Sequence, residues 1–212
     1  MRGICLIKNR MNHSVRKKNL YEINKLNKCI DLIKDEEIKK FVKECLNIAP
    51  KYFWTIAASS SGMYHPESSL GERGLLRHTI KVVEYGISLC KKNSISGLTR
   101  DEIIASLILH DTCKAGLQDT PNYSNYIVHA YLPRDHYERI AAKLIPKTAC
   151  NIFDLIDSHM GQWSEPIEKI PKTREQKIVH FADYLASRKN QPISDYKKEI
   201  ISLETYDKSI IL

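Results

Sequence analysis

The sequence predicts an all-α fold, a bundle of about eight helices, on three observations. Apolar residues recur at three- and four-residue spacing along most of the chain, the period of one helix face. Gly and Pro number only eight each in 212 residues, too few for a fold made of short strands and tight turns. The segments between the periodic runs are the ones that hold Ser, Gly, Pro and Asn together, as loops do.

In chain order, residues 17–33 carry Leu20, Ile23, Leu26 and Ile30 on one face, and residues 35–48 carry Ile38, Phe41, Val42, Cys45 and Leu46. Asp35, Glu36 and Glu37 suit the N-terminus of that second helix, where the dipole favours acids, and Pro50 ends it. "KYFWTIAA" reads as a short apolar helix or turn, and "SSSGMYHPESSLGERG", residues 59–74, as the first clear loop. "LLRHTIKVVEYGISLCKK" resumes the helical period. Thr99 with Glu102 has the spacing of a capping box for a helix over 100–112. Residues 115–132 form a polar, tyrosine-rich loop with room for a short hairpin, and Pro133 stands where a helix would begin. "NIFDLIDSHMG" is a helix stopped by Gly161, "REQKIVHFADYLASRK" a long amphipathic helix, and residues 193–203 a weaker last one.

Charge divides the chain at about residue 60. Residues 1–60 hold 13 Lys and Arg against 6 Asp and Glu, whereas the remainder is nearly balanced. Residues 1–58 are therefore expected to be a basic N-terminal helical segment packed on a core supplied by residues 59–212. Its charge suits either a polyanion or, more commonly, a solvated helical face. No run approaches 18 apolar residues, and the four-residue apolar run near the N-terminus is too short for a signal-peptide core. Six scattered cysteines without a CxxC pair read as reduced thiols, which implies a cytoplasmic protein without a membrane or a cysteine zinc site.

The chemistry lies in the histidines. Six of the eight fall between residues 78 and 180, several beside acids near helix ends. In "LILHDTCKAG", apolar residues run straight into His110, Asp111 and Lys114, groups that are costly to bury unless they bond to something. His78, His110, Asp111, His136, His159 and Asp183 come from successive helices of one bundle and can project into a common cavity. Mixed imidazole and carboxylate ligands suit one or two divalent metals.

The motifs "GLLRHT", "LILHDTCK", "IDSHMG" and "IVHFADYLASR" together resemble the HD superfamily of metal-dependent phosphohydrolases, over residues 62 to about 189. The order H…HD…D, with histidines between HD and the last Asp in members that hold two metals, carries the resemblance. "GLLRHT" and the loop before it look most like the HD domains of bacterial 3′→5′ exoribonucleases and relaxase-linked HD proteins. Residues 1–60 show no segment like the OB-fold that those exoribonucleases carry.

The resemblance implies an HD-type bundle in residues 59–212. It implies His78, His110, Asp111 and Asp183 as metal ligands, with Asp111 bridging, and His136 and His159 as ligands of a second ion. The ions would be Mn, Fe, Ni, Co, Zn or Mg. A pair of metals shares a hydroxide at neutral pH and offsets charge on a phosphoryl group. Asp111 and Lys114 are the expected catalytic residues, Lys114 donating to a phosphate oxygen. His65, Arg77, His129 and Arg139 are candidate substrate-binding residues, each with a bland rival: His129 and His65 can be loop histidines and the arginines surface charges. The implied activity is phosphohydrolase or phosphodiesterase action on a nucleotide or a single-stranded nucleic-acid end. Lys114 stands where the HDxxE nucleotidase branch has glutamate, which points away from simple 5′-monophosphate hydrolysis. The alternatives are a di-iron oxygenase of the same superfamily and a non-catalytic nucleotide-binding module.

Overall fold

Helices form almost wherever the apolar period runs. The computed structural model describes residues 13–59, 61–126, 128–164 and 167–189. These build seven α-helices: α1 (His13–Asp31), α2 (Glu36–Ile48), α3 (Gly74–Lys92), α4 (Gly97–Leu109), α5 (Leu132–Leu144), α6 (Ala149–Asp157) and α7 (Arg174–Ala186). Short 3-10 turns, such as Lys51–Trp54 and Tyr123–Tyr126, punctuate the connections, and among the described residues there is no strand. The described residues of the segment 115–132 therefore hold no hairpin, and the helix expected over 193–203 lies outside the described residues.

The centre of the bundle is α4. Ile103, Ile104, Ala105, Leu107, Ile108 and Leu109 are all fully buried, and a helix apolar on every side belongs in an interior. It is surrounded by α2, α3, α6 and α7. Gly86 of α3 lets the two helices close: a Cβ there would lie 2.1 Å from Leu107 Cδ1. The core runs without a break from Leu26 and Ile38 through Leu75 and Val83 to Ile152 and Val179.

Local chemistry sets the helix ends. The Asp35 side chain accepts from the Ile38 N–H at 2.9 Å, an N-cap on α2. Thr173 and Gln176 form a reciprocal capping box on α7. The capping box expected from Thr99 and Glu102 does not form. The helix starts earlier, at Gly97 after Ser96, which leaves Thr99 inside the first turn. Glu102 is buried and accepts from Asn151 Nδ2 of α6, while Asp101 Oδ2 accepts the Lys34 and Asp35 N–H groups at 2.8 Å each. These acids tie the central helix to its neighbours.

The apolar stripe of α1 is rotated from the expected face. Leu20 is 60% exposed and Glu22 is buried, because Glu22 Oε1 accepts from Arg77 Nη1 at 2.8 Å. Arg77 also donates to the Ser68 and Leu70 carbonyls. This arginine joins α1, α3 and the loop between Pro66 and Leu70. The residue expected at the substrate is thus bonded to Glu22 and to two loop carbonyls.

Candidate metal centre

The last turn of α4 ends in the middle of the bundle, and the chain passes there from an apolar helix to His110 and Asp111, both buried. His78 comes from the first half of α3, Asp183 from α7, and His159 from the turn after α6. His129 comes from the turn that precedes α5. Two groups of ligand atoms result: His78, His110 and Asp111, and Asp111, His129 and His159, the atoms of each group lying within 4.8 Å of one another.

Asp111 divides its carboxylate between them. Oδ2 lies 3.8 Å from His78 Nε2 and 3.5 Å from His110 Nε2, while Oδ1 lies 3.2 Å from His129 Nε2 and 3.7 Å from His159 Nε2. Asp183 Oδ1 joins the first group, 2.9 Å from His78 Nε2 and 3.7 Å from His110 Nε2. Lys114 Nζ lies 2.7 Å from Asp111 Oδ2.

The main chain sets the tautomers of two rings. His110 Nδ1 lies 2.8 Å from the Leu107 carbonyl and His159 Nδ1 2.8 Å from that of Ile156, each three residues back. A carbonyl only accepts, so each Nδ1 carries a proton and donates it, which leaves each Nε2 facing the cluster, that of His159 3.1 Å from His129 Nε2. The buried His180 ring donates from Nδ1 to the His159 carbonyl at 2.7 Å and fixes that turn from the other side. Gly161, at φ 63°, is required twice: for its left-handed conformation, and because a Cβ would strike the His180 ring at 2.1 Å.

One of the expected ligands stands apart. His136 is not in the cluster; its Nε2 bonds to the Ile48 carbonyl at the end of α2, at 2.9 Å. The neighbouring Tyr137 takes the inward position on α5, fully buried, and its hydroxyl donates to Thr112 Oγ1 at 3.0 Å. Adjacent helical residues point about 100° apart, so only one of the pair faces the centre. His129 stands in its place, its Nε2 3.2 Å from Asp111 Oδ1. A buried histidine in the apolar stretch "IVHAYL" was the available signal.

Arg139, also expected at the substrate, is exposed on α5. His65 does face the centre, its ring 5.4 Å from that of His78. Burial, with His78 and Lys114 close by, lowers its pKa to about 4, so it is neutral at pH 7.

A cavity of about 480 Å³ opens over the cluster, reaching Asp111, His129, His159 and Asp183. Trp163, Tyr184, Tyr64 and Arg188 form its outer wall. Trp163 and Tyr184 lie nearly parallel, 12° apart with ring centroids separated by 6.5 Å. The Arg188 guanidinium sits 4.3 Å from the Tyr184 centroid and 5.1 Å from that of Tyr64.

A helical bundle whose buried histidines meet around shared aspartates is a metal-binding helical domain. Residues 75–188, more than half of the chain, match the HD domain family, and the chain belongs to it. HD domains are typically metal-dependent phosphohydrolases. No curated protein and no solved structure gives a significant match.

The residues fit divalent ions. Both ring nitrogens of His78, Nε2 of His110 and Oδ1 of Asp111 are buried without a directed hydrogen bond among the described residues, an arrangement that is costly unless another ligand completes it. The cluster also attracts positive charge. Burial alone would raise the Asp111 carboxyl, yet Lys114 and His110 hold it well below the carboxylate range. Burial opposes a charged His110, yet Asp111 and Asp183 draw its pKa up to about 10. His159, buried beside His129 and His110, falls to about 3 and offers a neutral ring.

Replacement of two histidines separates the sequence order from the geometry. His129→Ala is expected to lose one metal position, and His136→Ala to keep the full complement. Metal content per chain after equilibration with Mn²⁺ and gel filtration checks this.

Proposed function

We propose that the protein is a metal-dependent phosphohydrolase that cleaves a phosphate ester of a nucleotide or a nucleic-acid end. The observation that supports this most is the carboxylate of Asp111, whose two oxygens face separate histidine groups while Lys114 stands beside one of them. His78, His110, Asp111 and Asp183 would hold one divalent ion and Asp111, His129 and His159 a second. Bound ions supply Lewis acidity and a water of lowered pKa.

The chain's own residues do the rest. Lys114 donates from Nζ to a non-bridging phosphate oxygen and stabilises charge that grows there. His65, neutral at pH 7, offers a hydrogen bond without adding charge. The wall of Tyr64, Trp163 and Tyr184 gives a base a face to stack on. A cytoplasmic setting is supported by the described cysteines, five free thiols of which four are buried; no described helix is long and apolar enough to cross a membrane.

The test is metal analysis of the purified protein, followed by nucleotides and short oligonucleotides offered with Mn²⁺, Ni²⁺, Co²⁺ or Mg²⁺ in air and under argon. Phosphate-ester cleavage that is independent of oxygen is the expected result. Oxygen consumption without phosphate-ester cleavage would replace this reading with oxygenase chemistry.

A further inference from the structure

The cavity over the cluster has a neighbour. A second cavity, of about 370 Å³, lies between the loop that follows the Lys51–Trp54 turn and Tyr123. The two share three residues, Tyr64, His65 and Lys114. Lys114 thus stands at the junction, with its ammonium on Asp111 Oδ2.

The two chambers differ in chemistry. The first is walled by the stacked Trp163 and Tyr184 and by Arg188, whose Nε is buried and makes no hydrogen bond among the described residues. Trp163 is 49% exposed, so its ring has surface left to cover. Beyond the shared residues, the described lining of the second chamber is Ile56, Ala57, Ala58, Ser59, Ser61 and Tyr123, small or neutral groups without a charge.

A phosphate monoester has one substituent and fills one chamber. We infer that the substrate is a nucleoside phosphodiester whose phosphorus sits at the Lys114 junction, with a base against Trp163, Tyr184 and Arg188 and an uncharged sugar or alkyl group in the chamber of Ala57, Ser59 and Ser61. This rests on the phosphohydrolase reading above and narrows it. In the reaction, water oxygen forms one P–O bond and the P–O bond to the leaving alcohol breaks. One water proton ends on that alcohol and the other is released to the new monoester or to solvent.

The experiment uses the Mn²⁺-loaded protein with two probes, thymidine 5′-(p-nitrophenyl phosphate) as diester and p-nitrophenyl phosphate as monoester. Ser61→Trp fills the second chamber from an exposed loop position. It is expected to lower the ratio of diester to monoester kcat/KM at least tenfold, and Arg188→Gln to raise KM for the thymidine diester more than for the monoester. Residual turnover of the monoester reports that each variant is folded. Ratios that stay within twofold of the wild type in both variants, with turnover intact, overturn the two-chamber assignment and leave the phosphohydrolase reading standing.

If the metal-loaded wild type cleaves neither ester, the phosphohydrolase reading fails, and calorimetry decides the chambers. Thymidylyl-(3′→5′)-thymidine should then bind at least tenfold tighter than thymidine 5′-monophosphate, an advantage lost in Ser61→Trp. Equal affinities of the two ligands overturn the inference.

Discussion

Asp111→Asn is expected to empty both metal positions at once. The carboxylate offers Oδ2 to the His78 and His110 side and Oδ1 to the His129 and His159 side. An amide of the same shape keeps one oxygen, and its nitrogen cannot bind a cation. It also removes a negative charge from the interior, where the attraction for a divalent ion is strongest. Changes to residues that merely support a ligand cost roughly 10–100-fold in metal affinity, so loss of a bridging ligand should cost more. Metal content should fall at both positions, and hydrolysis with it, while far-ultraviolet circular dichroism keeps the helical signal. One position filled as in the wild type would show that Asp111 does not bridge.

Lys114→Ala is expected to separate chemistry from metal binding. The ammonium is not a ligand, and beside Asp111 Oδ2 it competes electrostatically with any cation there. Its removal should leave metal affinity equal or higher. Turnover should move the other way. Loss of one donor to a charged transition state costs about 10²–10³ in kcat, or roughly 3–4 kcal/mol. KM should rise less than kcat falls, because the contact strengthens as charge develops. Lys114→Arg should recover only part, since a planar guanidinium cannot occupy the place of a compact ammonium. Full turnover in a metal-loaded Lys114→Ala protein would reduce Lys114 to a counter-ion of Asp111.

Most of the architecture was legible because helical periodicity is a local property. The runs that became α2, α3 and α7 each show their buried face in the sequence, and the order of His78, His110–Asp111 and Asp183 marks where those helices meet. Choices between neighbours were not legible. Whether α5 turns His136 or Tyr137 inward depends on Thr112, 25 residues away, which bonds the tyrosine hydroxyl. Arg77, next to His78 in sequence, is committed to Glu22, 55 residues away. Arg188 is five residues from Asp183, a spacing that argues against a shared helix face. The helix ends at Ala186, so the last two residues follow a turn and bring the guanidinium back over the cavity. Each of these placements has the same origin: a helical wheel describes a single cylinder, and these side chains are directed by contacts beyond it.

The bonds from His110 and His159 to the carbonyls of Leu107 and Ile156 have a thermal consequence. No side-chain substitution can delete a backbone carbonyl, so the orientation of these two rings is inherited from the winding of the helix ends and is insensitive to most point changes around them. Its weakness is fraying. When the last turn of α4 or of α6 opens, the carbonyl swings away and the ring is released with it. Metal should therefore leave the protein on heating before the bundle melts, and bound metal should slow amide exchange at these two helix ends more than elsewhere.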